Sequence, residues 1–112
     1  MNNQQIIAMW SGPRNLSTAL MYSFQNRGDT QIADEPFYAY FLSNNQIMHP
    51  EREKIIELME TNKHTLINYL SDIKNLKKGE VWYQKQMTHH LNINDDISWI
   101  KNISNCFLIR NP

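Results

Sequence analysis

The sequence predicts an α/β domain with a mainly parallel sheet flanked by helices. Three observations carry this. Two continuous apolar runs, Ile6 to Trp10 and Cys106 to Ile109, are too short for isolated helices and have the character of strands buried on both faces. Strand-like and helix-like stretches alternate between them. The first run also passes through Ser11, Gly12 and Pro13, which break a strand, directly into a helical pattern.

Taken in order, the first strand leads into a helix in which Leu16, Ala19, Leu20, Ser23 and Phe24 share a face. Asn15 is its expected N-cap and Gly28 its stop. Thr30 to Ala33 reads as a second short strand, ending at Asp34-Glu35-Pro36, where the proline biases Glu35 to an extended backbone. The aromatic segment Phe37, Tyr38, Tyr40, Phe41 follows; its main expected role is packing, with lining of a ligand pocket as the second. Ser43 to Gln46 reads as a loop. Pro50 suits the first turn of a helix, with Glu51, Glu53 and Glu57 near its start. Ile55, Met59, Leu66, Leu70 and Ile73 give that helix an apolar stripe. It is expected to run from Pro50 to about Leu76 or to break near Thr61-Asn62, with Gly79 as its cap. Val81-Trp82-Tyr83 is a third strand leading to Lys85, followed by a loop through His89-His90. Asp95 or Asp96 can cap a short helix around Trp99. The last strand delivers Arg110 and stops at Asn111-Pro112, with no crossover helix to cover it. The 112 residues therefore read as the N-terminal part of a larger domain.

Composition excludes several classes. Eleven basic residues balance eleven acidic ones, and no Lys/Arg block exceeds Lys77-Lys78, so no nucleic-acid partner is expected. No apolar run approaches the 18 or so residues of a membrane span, so no membrane association is expected. One cysteine, Cys106, excludes an internal disulfide and suits a reducing cytoplasm. His49, His64, His89, His90 and Cys106 lack the spacing of a structural zinc site, and no metal is expected.

The strand-loop-helix at the start has the outline of an anion cradle. A helix start offers unpaired N–H groups and the positive end of a dipole. Arg14 adds charge, Gly12 and Asn15 shape the loop, and Ser17 and Thr18 add hydroxyls in the first turn. The Gly-x-x-x-x-Gly-Lys-Ser/Thr motif itself is not met: counted from Gly12, Ser17 and Thr18 stand at the second glycine and the lysine. In a parallel sheet ligands bind at the carboxyl ends of the strands. Four strands here end in Arg14, Glu35, Lys85 and Arg110, and the two arginines suggest a ligand with two anionic groups.

Ile7 to Leu20 resembles the first strand and 5′-phosphosulfate loop of sulfotransferases that use 3′-phosphoadenosine 5′-phosphosulfate (PAPS). Asp34 to Tyr38, Tyr83 to Leu91 and Phe107 to Pro112 resemble later blocks of a bacterial branch of that family, in the same order. The resemblance implies a P-loop, nucleoside-kinase-like three-layer sandwich, here truncated, with PAPS as co-substrate and no required metal. It implies that Arg14 is the cationic loop residue, usually lysine, and that Ser17 and Thr18 contact the 5′-phosphosulfate. Arg110 would bind the 3′-phosphate. Asn15 and Leu16 depart from the usual Ser-Gly of the loop. A serine that assists Arg110 and the segment closing over the adenine would lie beyond Pro112.

On this reading a sulfuryl group passes to a hydroxyl or amine of a small-molecule acceptor. Glu35 ranks first as the base, because the predicted sheet sets it beside the loop and Pro36 holds it extended. His89 or His90 ranks second, as imidazoles titrating near neutral pH. Lys85 would contact the bridging oxygen. Two alternatives stand beside this reading. A nucleoside or small-molecule kinase would share the strand-loop-helix but require a loop lysine and a magnesium-holding carboxylate. A non-catalytic, truncated remnant would explain the abrupt stop.

Overall fold

The computed structural model describes residues 4–12, 16–45, 51–91 and 95–108. Four strands run through them: β1 at Gln5–Ser11, β2 at Thr30–Asp34, β3 at Val81–Met87 and β4 at Ser104–Leu108. They form one sheet in the order β2-β3-β1-β4, and every neighbouring pair is parallel. The α/β class and the parallel sheet are therefore as the sequence predicts. Arg14, Asn15, Pro50 and Arg110 lie outside the described residues.

Alternation along the strands sorts side chains to two faces. On one face Ile6, Ala8 and Trp10 of β1 meet Trp82 of β3, together with Phe37, Leu66, Leu70 and Trp99. On the other face lies α1, Ser17–Gln25, with Met21 buried and the Phe24 ring 4.5 Å from that of Tyr83. Its cover is thinner, so Ile7 and Met9 are only half-buried. β1 is thus sealed on one face rather than on both. Gly28, at φ +83°, takes the left-handed turn that ends α1.

The long helical stripe resolves into two helices, α3 at Arg52–Leu58 and α4 at Lys63–Leu70. The break falls at Thr61-Asn62 for a local reason. Glu60 Oε2 accepts from the backbone N–H of Thr61 and Asn62, and Asn62 Oδ1 caps Thr65 N at 3.0 Å. Leu66 and Leu70 reach the core, while Ile73, in a 3-10 turn at Ile73–Asn75, is exposed. Gly79 does not cap this helix. At φ +82° it turns the chain into β3, so close to Asp29 that an added Cβ would collide with the Asp29 carbonyl. That carbonyl accepts from Glu80 N and Val81 N, which fixes where β3 begins.

Three further expectations are corrected. The polar stretch Ser43-Asn44 closes a helix, α2 at Tyr38–Asn44, whose apolar side holds Ala39, Tyr40 and Leu42 in the core. β3 continues past Lys85 to Met87 and is buried at all seven positions, because it lies between two strands under helices on both faces. β4, expected inside the sheet, pairs among the described residues only with β1, and Phe107 is 66% exposed. The short helix near Trp99 is present as a 3-10 helix at Ser98–Asn102, with Asp96 Oδ1 accepting from Ser98 N at 2.9 Å. Among the described residues no helix is long and apolar enough to cross a membrane.

Candidate functional site

The carboxyl ends of β1, β2 and β3 meet around one lysine. Lys85 points to the face covered by α1, since it shares the alternation of Tyr83. Its Nζ donates to Thr18 Oγ1 at 2.8 Å and to Glu35 Oε2 at 3.3 Å, and stands 3.7 Å from Asp34 Oδ1. The side chain is 7% exposed. A buried ammonium needs such partners, because an unpaired charge away from water is strongly unfavourable. Asp34 is the register partner of Lys85 in the β2–β3 ladder, so the sheet itself sets that approach.

Thr18 is placed by α1. Leu16 stands in the capping position with an apolar side chain that cannot cap, and Ser17, buried, opens the helix. Gly12, half-buried, ends the described part of the loop on the other side. Ser17, Thr18 and Gly12 thus sit where β1 feeds α1, as expected.

Glu35 departs from expectation. Its φ is +48°, in the left-handed region, and not extended as Pro36 favours. Two backbone bonds hold it there: Glu35 N donates to Lys85 O, and Glu35 O accepts from Tyr38 N, both at 3.0 Å. The first prolongs the β2–β3 ladder by one step and the second closes a turn into α2. A non-glycine residue in this region costs about 1–2 kcal/mol. The strain aims the carboxylate back over the sheet edge, at Lys85. β2 also does not neighbour β1, since β3 lies between them. Glu35 therefore reaches the loop side through Lys85, not directly.

His90 ends the 3-10 turn Thr88–His90 and is 3% exposed. Its ring stacks on those of Tyr38 and Phe41, at 5.2 and 5.0 Å. These two residues are three apart on α2 and so share a face. His90 Nε2 is 3.8 Å from Glu35 Oε1, and Nδ1 has no hydrogen-bond partner. Burial chiefly, then the neighbouring His89 and Lys85, pushes its pKa down to about 4. The imidazole is neutral at pH 7, and its contact with Glu35 is not an ion pair. His89 is exposed and lies edge-on to Phe41 and His90.

Thr18, Glu35, Lys85 and His90 are therefore brought together, and His89 stands at their outer side. Sequence reasoning missed the Lys85–Thr18 bond, the approach of Asp34 and the aromatic stacking on His90. The spacing of Tyr38 and Phe41 was the available signal for the last. The remainder of the aromatic run packs: Phe37 is fully buried with its ring 5.8 Å from Trp99. Among the described residues no group of three or more His, Cys, Asp or Glu is disposed to hold a metal ion.

A family model described as a sulfotransferase domain matches residues 4–112. Two proteins of Arabidopsis thaliana are similar to parts of the chain. Branched-chain-amino-acid aminotransferase-like protein 1 is 43% identical over 67 residues, 60% of this chain and 12% of that protein. Branched-chain-amino-acid aminotransferase-like protein 2 is 45% identical over 56 residues, 50% of this chain and 10% of that protein. The matches thus cover about a tenth of either relative's length. No solved structure gives a significant match.

Proposed function

Since this chain belongs to the sulfotransferase domain family, we propose that the edge around Lys85 binds the phosphosulfate of PAPS and passes its sulfuryl group to a small-molecule acceptor. The observation that carries this is the buried Lys85 ammonium, joined at 2.8 Å to a hydroxyl of the α1 first turn and at 3.3 Å to the Glu35 carboxylate. The donor set fits a phosphosulfate. Lys85, Ser17, Thr18 and the start of α1 offer positive charge and hydrogen-bond donors from one sheet edge.

The acceptor oxygen or nitrogen forms a bond to sulfur while the bond from sulfur to the 5′-phosphate oxygen breaks. The electron pair of that broken bond stays on the phosphate, and the acceptor's proton goes to a base. Catalysis then consists of positioning and of stabilising charge on the departing phosphate. Lys85 does the second at the bridging oxygen, with Thr18 and Ser17 beside it. Arg14 and Arg110 are assigned to the 5′- and 3′-phosphates by resemblance alone. Glu35 takes the proton, because it is 30% exposed at the edge and an ionised carboxylate has a free lone pair. His90, buried against Tyr38 and Phe41, packs beside Glu35 at 3.8 Å. A single cysteine suits action in a reducing cytoplasm.

Thermal unfolding of the full chain with adenosine 3′,5′-bisphosphate, against ADP, tests the donor site. A ligand that binds only the native form raises apparent stability by mass action, about 2.7 kcal/mol at a hundredfold excess over Kd. A shift with the bisphosphate and none with ADP is the expected result. Equal shifts would remove the assignment to PAPS.

A further inference from the structure

The chain has a single cysteine, Cys106, exposed on β4. The strand registers fix what shares its side of the sheet. Lys85, Met9 and Cys106 stand in one row across β3, β1 and β4, and Tyr83, Ile7 and Ser104 form the row one pleat before it. Register partners share a face, so both rows stand on the side of α1. α1 packs on Tyr83 and leaves the strip towards β4 thinly covered, with Met9 half-buried and Cys106 open. Tyr83 supplies a second, independent observation. It is fully buried, and its hydroxyl has no hydrogen-bond partner. A buried polar group left unpaired costs about 1–3 kcal/mol, so the position calls for an acceptor. Burial first, then the charge of Cys106, pushes the Tyr83 pKa up to about 12. The hydroxyl therefore keeps its proton, and Cys106 is the charge close enough to act on it.

We infer that Cys106 is a site of reversible modification by a small disulfide of the glutathione type, and that the adduct closes the donor site. The second half rests on the sulfotransferase reading above; the first does not. In the exchange the Cys106 thiol gives its proton to water, and the thiolate attacks one sulfur of glutathione disulfide. A sulfur–sulfur bond to Cys106 forms, the old one breaks, and its electron pair leaves on the second glutathione as a thiolate. The Tyr83 hydroxyl donates to the Cys106 sulfur as charge builds on it, which favours the attacking form. Exposure admits the reagent. Two strand spacings, about 10 Å, separate Cys106 from Lys85. A glutathionyl group is a tripeptide with two carboxylates and spans roughly 10 Å when extended. With only Met9 between, a carboxylate of the adduct reaches the Lys85 edge and competes with the phosphosulfate. Where glutathione is mostly reduced the thiol stays free, and it is capped as the disulfide fraction rises.

The probe is glutathione disulfide, applied to the full chain, with the adduct followed by intact mass and the donor site by affinity for adenosine 3′,5′-bisphosphate. One adduct is expected, formed at least as fast in the folded chain as in urea and removed by dithiothreitol. Tyr83→Phe keeps the ring that packs on Phe24 and should slow the reaction about threefold or more. Bisphosphate affinity should fall about tenfold or more in the adduct and return on reduction. Cys106→Ser, at an exposed position that tolerates the change, should form no adduct and bind the bisphosphate as the reduced chain does. A folded chain that reacts far more slowly than the unfolded one, or Tyr83→Phe at the wild-type rate, overturns the thiol site. An adduct that leaves bisphosphate affinity unchanged overturns the closure. A reduced chain that ignores the bisphosphate removes the sulfotransferase reading instead, and the two rate comparisons still decide the thiol site.

Discussion

β3 and β4 have inverted relations between composition and burial. β3 carries Gln84-Lys85-Gln86 and is buried at all seven positions. β4 carries Cys106-Phe107-Leu108, yet Cys106 and Phe107 are exposed. Place in the sheet decides this, since β3 is flanked by β2 and β1 while β4, among the described residues, pairs with β1 alone. Burial makes partners necessary for the polar side chains of the Gln84-Lys85-Gln86 run. Gln84 Nε2 donates to Leu70 O at 2.8 Å, Gln86 Nε2 reaches Gln84 Oε1 at 3.4 Å, and Lys85 takes Thr18 and Glu35. Thus β3 carries the charge that the proposed chemistry uses, and β4 contributes an apolar wall at the rim.

The largest effect expected from this contrast is at Lys85. Lys85→Met keeps the stem and removes the charge, while Asp34 and Glu35 retain access to water at 52% and 30% exposure. Stability should change little, because the two carboxylates left behind are reached by water and are not stranded as unpaired buried charges. Sulfuryl transfer by the full chain should fall by about 10²–10³, the range for losing one preorganised stabiliser of transition-state charge, and bisphosphate binding should weaken with it. Glu35→Gln should lower kcat by about 10²–10⁴ and leave bisphosphate binding intact. Turnover at the wild-type rate in Lys85→Met would place the stabilising charge elsewhere.

Next comes the structural role of β3. Gln84 is fully buried and meets a carbonyl at the end of α4. Gln84→Ala opens a cavity and leaves that carbonyl without its donor, so about 3 kcal/mol should be lost in urea unfolding. A smaller change, under about 1 kcal/mol, would mean that the strand relaxes to restore the bond.

His90 supplies a pH test of the same packed edge. Its pKa is about 4 when folded and 6.5 when free, so the unfolded chain binds the proton more readily. The contribution is therefore fully present above pH 6.5 and declines as pH falls towards 4. By pH 5 about 2 kcal/mol should have gone. His90→Phe keeps the stack on Tyr38 and Phe41 and removes the titration. Urea midpoints at pH 7 and pH 5 should thus converge in the variant. A wild-type midpoint equal at both values would mean that the ring is not enclosed.

These contrasts also show what was legible beforehand. The β1 strand, the helix after it and the parallel order follow from apolar runs and period changes within short windows, so Ile6 to Phe24 can be read locally. Lys85 and Glu35 were found as strand-end residues, and the parallel sheet brings them together. The strand order was out of reach, because nothing in Thr30 to Asp34 says that it pairs with β3 instead of β1. The backbone of Glu35 was misread for a similar reason. The local preference set by Pro36 is overridden by two hydrogen bonds, one of them to a strand 50 residues away in sequence. The exposure of Phe107 could not be read either, since hydropathy measures what a residue prefers and not what covers it.

The smallest stability effect is expected at β4. Phe107→Ala removes a large apolar side chain, a change that in a core would cost about 3–5 kcal/mol. At 66% exposure most of that ring is already in water, and the strand keeps its backbone bonds to β1. The loss should be within about 0.5 kcal/mol, as for surface sites in general. Lys85→Met leaves stability in place and weakens donor binding, whereas Phe107→Ala should change neither. If Phe107→Ala instead destabilised the chain by several kcal/mol, the ring would be covered in solution and β4 would be an interior strand.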